Sequence, residues 1–145
     1  LRYLSALSFV EIENHSFNHY QHMEQLKDTD MTEEVKRNAD TLMSITGKEP
    51  KFFRFPGGNY DEKSLKRIEE LDYKVVHWSF ESGDPDKKVT PEHLIEWVLL
   101  KTKPASVLIF HINGRGYSTG KALPVIIEAL RKKGYRFVKL TDYLK

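Results

Sequence analysis

The sequence predicts an α/β protein built around a parallel sheet, and three features point there. Apolar spacing alternates along the chain between periods of about 2 and about 3.6 residues, as strands and helices do when they follow one another. The stretch Val107–Phe110 is wholly apolar, the pattern of a strand covered on both faces. Each run of helical spacing carries its own start or stop signal, among them Gly47, Asp61, Thr90-Pro91 and Gly134.

In chain order, Leu1, Leu4 and Leu7 read as the end of a helix. Phe9 to Asn14 reads as a short strand. A helix is expected from about Met31 to Thr46, capped by Asp30 or Thr32, with Glu33 and Glu34 in its first turn. Its apolar stripe is Met31, Val35, Ala39, Leu42 and Met43; Gly47 suits the left-handed stop, and Pro50 lies beyond. Phe52 to Phe55 is the next strand. Asp61 caps a helix bearing Leu65, Ile68 and Leu71, and Lys74 to Ser79 is a strand. Thr90 and Pro91 start a helix bearing Leu94, Ile95, Val98 and Leu99. After the strand at Val107 to Phe110, a helix runs from about Gly120 to Lys133. Arg136 to Leu140 is a last strand, and Asp142 starts a terminal turn.

Five such strand–helix units are too few for a closed eight-fold barrel, which typically takes about 250 residues. The chain of 145 residues reads as one domain over 1–145. It opens inside a helix with no cap. We therefore expect a first strand, and part of its helix, to lie outside this sequence; an open sheet is the alternative.

Composition narrows the function. With 23 basic and 21 acidic residues, interleaved along the chain, nothing resembles a nucleic-acid footprint. Lys132 and Lys133 read as a solvated helix end. No apolar run reaches the roughly 20 residues of a membrane span, and Leu1 starts no secretory signal. The sequence has no cysteine, which removes thiolate metal sites and cysteine nucleophiles.

In parallel α/β folds, chemistry gathers at the C-terminal ends of strands, and there the sequence places unusual residues. The first strand is followed by His15-Ser16-Phe17-Asn18-His19. Two imidazoles four residues apart share one face of a helical turn and suit zinc or a similar divalent ion. An isolated pair of this spacing is more often two hydrogen-bonded histidines, but this pair sits at a strand end with other functional residues. His22 is a further possible ligand, better explained as a surface residue. The second strand ends in Arg54-Phe55-Pro56-Gly57-Gly58, whose glycines either offer a backbone N–H to an oxyanion or form an ordinary turn. Trp78, Glu81 and Asp84 follow the third strand, and Trp78 is more often core than platform. His111 ends the fourth, a candidate general acid with Asp84 ahead of Glu81 as the carboxylate that orients its ring.

Together these residues resemble the NodB-homology polysaccharide deacetylases, with the peptidoglycan deacetylases of Gram-positive bacteria closest. His15-Ser16-Phe17-Asn18-His19 is similar to the family's metal-binding His-(Ser/Thr)-x-x-His motif. Arg54-Phe55-Pro56-Gly57-Gly58 is similar to its RxPxG loop, Trp78-Ser79 with Asp84 to its fourth motif, and Ile109-Phe110-His111 to its fifth. The tail from Ala122 to Leu144 also resembles the family's. The family's first motif, Thr-Phe-Asp-Asp-Gly, supplies the base aspartate and a third metal ligand. It is missing here. Glu11 and Glu13 stand in the wrong strand context for it, and Asp28 and Asp30 are poor substitutes. Two further departures are Pro85 and Ile112, where the family often has tryptophan and aspartate.

The resemblance implies a distorted (β/α) barrel lacking its first strand in this chain. It implies hydrolysis of N-acetyl groups on a cell-wall or related polysaccharide, with release of acetate. The cofactor implied is a divalent metal, zinc above others, held by His15 and His19. His111 would protonate the leaving amine, oriented by Asp84. Arg54 would orient a carboxylate of the site, Gly57 would face the oxyanion, and Ile109 would line the acetyl pocket with Trp78 nearby. The implied partner is a polysaccharide, and the implied location is the cell envelope or the exterior. The alternative is an inactive, deacetylase-like domain that binds glycan or protein, because the Asp-Asp motif is absent.

Overall fold

The computed structural model describes residues 1–144. Among these residues six α-helices form: α1 (Arg2–Ser5), α2 (Asp28–Thr46), α3 (Glu62–Glu70), α4 (Pro91–Lys101), α5 (Thr119–Lys132) and α6 (Leu140–Tyr143). Two strands, β1 (Phe52–Phe53) and β2 (Lys74–Val75), pair in parallel, with Phe52 opposite Lys74 and Phe53 opposite Val75. The chain divides into two compact units. One comprises Leu1–His77 with the segment from Val138 onward; the other is Trp78–Phe137.

In the first unit, α2 and α3 lay their apolar stripes on the β1 side chains. Met23, Met31, Val35, Phe53, Phe55 and Ile68 are buried together, each contributing roughly 1.5–3 kcal/mol of burial. Phe53 and Phe55 meet edge to face, their ring centroids 5.1 Å apart. Asp61 caps α3 as expected, in a reciprocal box. Its carboxylate accepts the Ser64 N–H at 2.7 Å, and its own N–H donates to Ser64 Oγ at 2.9 Å. Gly47 ends α2 in the left-handed conformation, φ 69°.

In the second unit, α4 and α5 face one another. Leu94 and Val98 bury against Ala122, Ile126 and Leu130, with Phe80 and Leu108 packed on the same cluster. Thr90 caps α4 through the His93 N–H at 3.2 Å, and Pro91 occupies the first turn. Pro124 lies inside α5 and removes one backbone donor from that helix.

Several sequence expectations are corrected. Helix α2 begins at Asp28, and neither Asp30 nor Thr32 caps it. Thr32 Oγ instead accepts from the Arg67 guanidinium at 3.0 and 2.8 Å. Met43 is exposed while Glu34 is buried, because Glu34 has partners in a neighbouring loop. The five expected strands reduce to β1, β2 and two single-residue parallel bridges, Asn14 with Phe53 and Phe80 with Leu108. The stretches 9–13 and 136–140 form no strand among the described residues. Phe9, Phe137 and Val138 are exposed, and without a partner strand an extended segment has no ladder to join. The C-terminal segment is held instead by the Glu11 carboxylate, which accepts the Leu140 N–H at 2.9 Å and also bonds Thr141. Parallel pairing holds wherever pairing occurs, so the α/β class stands.

Candidate functional site

The candidate site residues fall in both units, each following a paired segment. In the first unit, Asn14 pairs with β1, and His15 to His19 follow as a turn rather than a helix. The imidazoles of His15 and His19 meet edge to face, centroids 4.8 Å apart. Two left-handed residues produce this closeness, Ser16 at φ 63° and His19 at φ 58°. Such a state costs about 1–2 kcal/mol for a residue with a Cβ, and the turn is held by its own hydrogen bonds. The Ser16 N–H donates to Asn14 Oδ1 at 3.1 Å, and the His19 N–H to Ser16 Oγ at 3.0 Å.

Helix α2 anchors the turn from outside. Asn14, only 1% exposed, donates to the Val35 carbonyl at 2.9 Å and accepts from Asn38 at 2.8 Å. The Glu34 carboxylate receives both the Asn18 N–H at 2.7 Å and its side-chain amide at 2.5 Å. Sequence reasoning missed Asn14, Asn38 and Glu34. The available signal was polar residues at positions that the helix and strand patterns assign to the core.

His15 Nδ1 lies 2.5 Å from the Arg54 carbonyl oxygen. A carbonyl only accepts, so Nδ1 carries the proton and Nε2 keeps a lone pair for a metal. Gln21 contacts His19 Nδ1 at 3.0 Å. Ligation through Nε2 there requires the amide oxygen, rather than its nitrogen, to face the ring. The two imidazoles therefore fit as two donors of a divalent-ion site. Among the described residues no group of three or more His, Asp or Glu completes the set. His22 pairs with Glu24 at 2.9 Å instead. Asp28 is engaged by Lys63 at 2.8 Å. The Glu13 carboxylate caps the Lys51 and Phe52 amides at 2.7 and 2.8 Å, and burial pushes its pKa up against the pull of those amides.

The Arg54 loop stands beside this turn. Gly57 is left-handed, φ 63°, a conformation that favours glycine, and a Cβ there would lie 2.6 Å from Gln21 Oε1, so the end of that side chain would have to shift. Asn59 donates to the Gln21 carbonyl at 2.9 Å, which ties the loop to the histidine turn. Burial lowers the pKa of Arg54, which stays a cation. Tyr60 stacks on Phe55 at 5.5 Å and meets the His77 ring at 5.9 Å. Burial first, and the Arg54 charge second, hold the His77 imidazole below its ordinary value. His77 was not singled out from sequence, because an isolated histidine in a strand carries no motif. A cavity of about 450 Å³ also lies in this unit, lined by Glu11, Glu13, Lys48, Lys51 and Lys139 among others; it includes none of the predicted site residues.

In the second unit, Asp84 meets His111. Asp84 is 1% exposed, and its Oδ1 lies 2.8 Å from His111 Nδ1. Oδ2 accepts the His111 N–H at 2.5 Å and Thr119 Oγ at 2.8 Å, while Ser82 Oγ reaches Oδ1 at 3.1 Å. Glu81 does not take this place; its carbonyl accepts from the Trp97 indole at 3.0 Å. The His111 side chain retains 28% exposure. A proton on Nδ1 facing Asp84 leaves Nε2 as the atom that exchanges protons with a ligand. Ile109 and Trp78 are half-buried, and Ile112 is exposed.

Comparison with known proteins shows what the chain as a whole is similar to. The sequence profile of the polysaccharide deacetylase family matches residues 5–76. A peptidoglycan-N-acetylglucosamine deacetylase of Bacillus cereus is 30% identical over 138 residues, covering 93% of this chain and 63% of that protein. The chain thus spans less than two thirds of that relative's length. A crystal structure of a peptidoglycan N-acetylglucosamine deacetylase superposes with a TM-score of 0.83 at 30% identity, over 89% of this chain and 60% of that one. A CE4 family pseudoenzyme from Bacillus anthracis shares the fold, with a TM-score of 0.84 at 22% identity, over 93% of this chain and 46% of that one. Profile, relatives and superposition agree in one likeness: the chain is similar to the polysaccharide deacetylases in sequence and in fold.

Proposed function

We propose that this chain is part of a metal-dependent enzyme that hydrolyses N-acetyl groups of a cell-wall polysaccharide, peptidoglycan first, releasing acetate and leaving a free amino sugar. The Asp84–His111 pair carries the reading: a buried carboxylate fixes one ring nitrogen of a partly exposed imidazole, as general-acid catalysis requires. On this reading the fold of the whole enzyme is a distorted (β/α) barrel. With peptidoglycan as substrate, the protein works in the cell envelope or outside the cell. No helix of the described residues is long and apolar enough to cross a membrane.

The division of labour follows from the residues. His15 and His19 would hold the ion through their Nε2 atoms, together with a third donor that the described residues do not supply. A divalent ion, when bound, polarises the acetamide carbonyl and makes water a better nucleophile at neutral pH. The Gly57 N–H donates to the carbonyl oxygen as negative charge develops there. Arg54 holds a carboxylate of the site, and Ile109 and Trp78 give the acetyl methyl an apolar wall. His111 Nε2 delivers its proton to the departing nitrogen as the C–N bond breaks.

A second reading is a deacetylase-like domain that binds glycan or protein without turnover. It is favoured by the absence from the sequence of the Asp-Asp pair of the family's first motif. One experiment separates the two: acetate release from an N-acetylglucosamine oligomer, with zinc binding followed by calorimetry, for the wild type and His15→Ala. The enzyme reading predicts that the variant loses both. Acetate release undiminished in His15→Ala contradicts it. Zinc binding without acetate release in the wild type favours the binding domain.

A further inference from the structure

The carboxylate of Asp84 receives four donors, and only two come from His111. Oδ1 takes His111 Nδ1 and Ser82 Oγ; Oδ2 takes the His111 N–H and Thr119 Oγ. Thr119 is the first residue of α5 and is 4% exposed. Its hydroxyl is aimed at a buried acid rather than at the backbone of its own helix. The preceding Ser118 sends its hydroxyl to the Val89 carbonyl at 2.6 Å and so does not compete for Asp84.

Gly116 makes the second observation. A Cβ on Gly116 would lie 2.0 Å from the His111 carbonyl oxygen and 2.6 Å from Thr119 Oγ. No side chain fits there without moving the backbone of His111 or the hydroxyl of Thr119. The start of α5 is therefore pressed against the chain at His111, and a single atom, Thr119 Oγ, joins that contact to the carboxylate.

The consequence is geometric. Without Thr119, Oδ2 keeps a single donor, the His111 N–H, and the carboxylate is freer to turn about its Cβ–Cγ bond. With Thr119 fixing Oδ2, Oδ1 stays opposite Nδ1, and the ring keeps one tautomer and one orientation. A hydroxyl is needed at position 119, with Cβ where Thr119 has it; the methyl is dispensable.

We propose that Thr119 is a positioning residue for the Asp84–His111 pair, acting through the second carboxylate oxygen, with Gly116 as the opening that lets α5 approach. The proposal rests on the deacetylase reading for its effect on turnover, but its structural content does not. Two measurements keep these apart. The first is proton NMR of the intact protein near neutral pH, following the hydrogen-bonded Nδ1–H resonance of His111 in wild type, Thr119→Val and Thr119→Ser. We expect the resonance in wild type and in the serine variant, and its loss to solvent exchange in the valine variant. The second is acetate release by the same proteins on an N-acetylglucosamine oligomer. We expect kcat to fall about tenfold in Thr119→Val with KM held, and recovery to within about twofold in Thr119→Ser.

An Nδ1–H resonance unchanged in Thr119→Val overturns the proposal, whatever the turnover. Loss of the resonance in both variants also overturns it, because a hydroxyl at 119 is then not what holds the pair. If Thr119→Val fails to fold, retention of the resonance in Thr119→Ser and its loss in Gly116→Ala support it, and an unaltered resonance in Gly116→Ala overturns it. A resonance that follows the hydroxyl while no form releases acetate upholds the positioning role and removes the deacetylase reading.

Discussion

The His15–His19 turn and the Asp84–His111 pair solve the same problem, holding an imidazole in one orientation, by different means. In the first unit two left-handed residues bring the rings together, and the polar groups of α2 hold the turn in place. In the second unit the backbone at Asp84 and His111 has no positive φ, and one buried carboxylate does the holding. The first arrangement spreads its cost over a network. The second concentrates it in one group. A distributed network tolerates the loss of one bond, whereas a carboxylate with four donors fails as a unit. The halves also differ in completeness: the dyad has both members in this chain, while the imidazole pair offers two donors that would suit a divalent ion and no third among the described residues.

That difference predicts unequal damage. The largest effect should come from Asp84→Asn. The amide presents an N–H toward donors that need an acceptor, so acetate release should fall about 10²-fold, with zinc binding by the first unit unchanged. Equal loss of zinc binding would mean that the two halves are not separable. Next comes Asn14→Ala, which removes four bonds, to Val35, Tyr73, Ser16 and Asn38. Urea unfolding should show a loss of about 3 kcal/mol, and zinc binding should weaken. Full stability would show that the turn does not depend on its anchor.

The smallest effect concerns pH. The His77 value is lowered in the folded chain by burial and by Arg54, so the unfolded chain binds the proton more tightly. The contribution of His77 to stability is therefore complete above the ordinary imidazole value. It declines as pH falls from that value through the lowered one. Urea unfolding at about pH 7.5 and about pH 5.5 should show a smaller decline in His77→Gln than in wild type. An identical decline in both would remove the burial argument at this residue.

Much of this was legible in the sequence, for reasons that differ by residue. Asp61 with Ser64, Thr90 with Pro91, and Gly47 are local signals, settled within four residues, and they survive folding. His15, His19, Arg54, Asp84 and His111 stood out because they follow apolar runs in a parallel pattern. The strand extents were not legible. Whether Phe9 or Phe137 joins a ladder depends on a partner strand, which the local sequence does not encode. The supporting groups were equally hidden. Asn14, Glu34 and Thr119 are ordinary polar residues until the fold buries them against a donor or acceptor far along the chain. The helical-face argument placed His15 beside His19 by the wrong geometry; Ser16 and His19 reach the same closeness through left-handed backbone.

The most direct test of the central claim compares wild type and His111→Ala, loaded with zinc, for acetate release from an N-acetylglucosamine oligomer. The account predicts a loss of at least about 10²-fold with zinc affinity unchanged. Release at the wild-type rate by His111→Ala would contradict it.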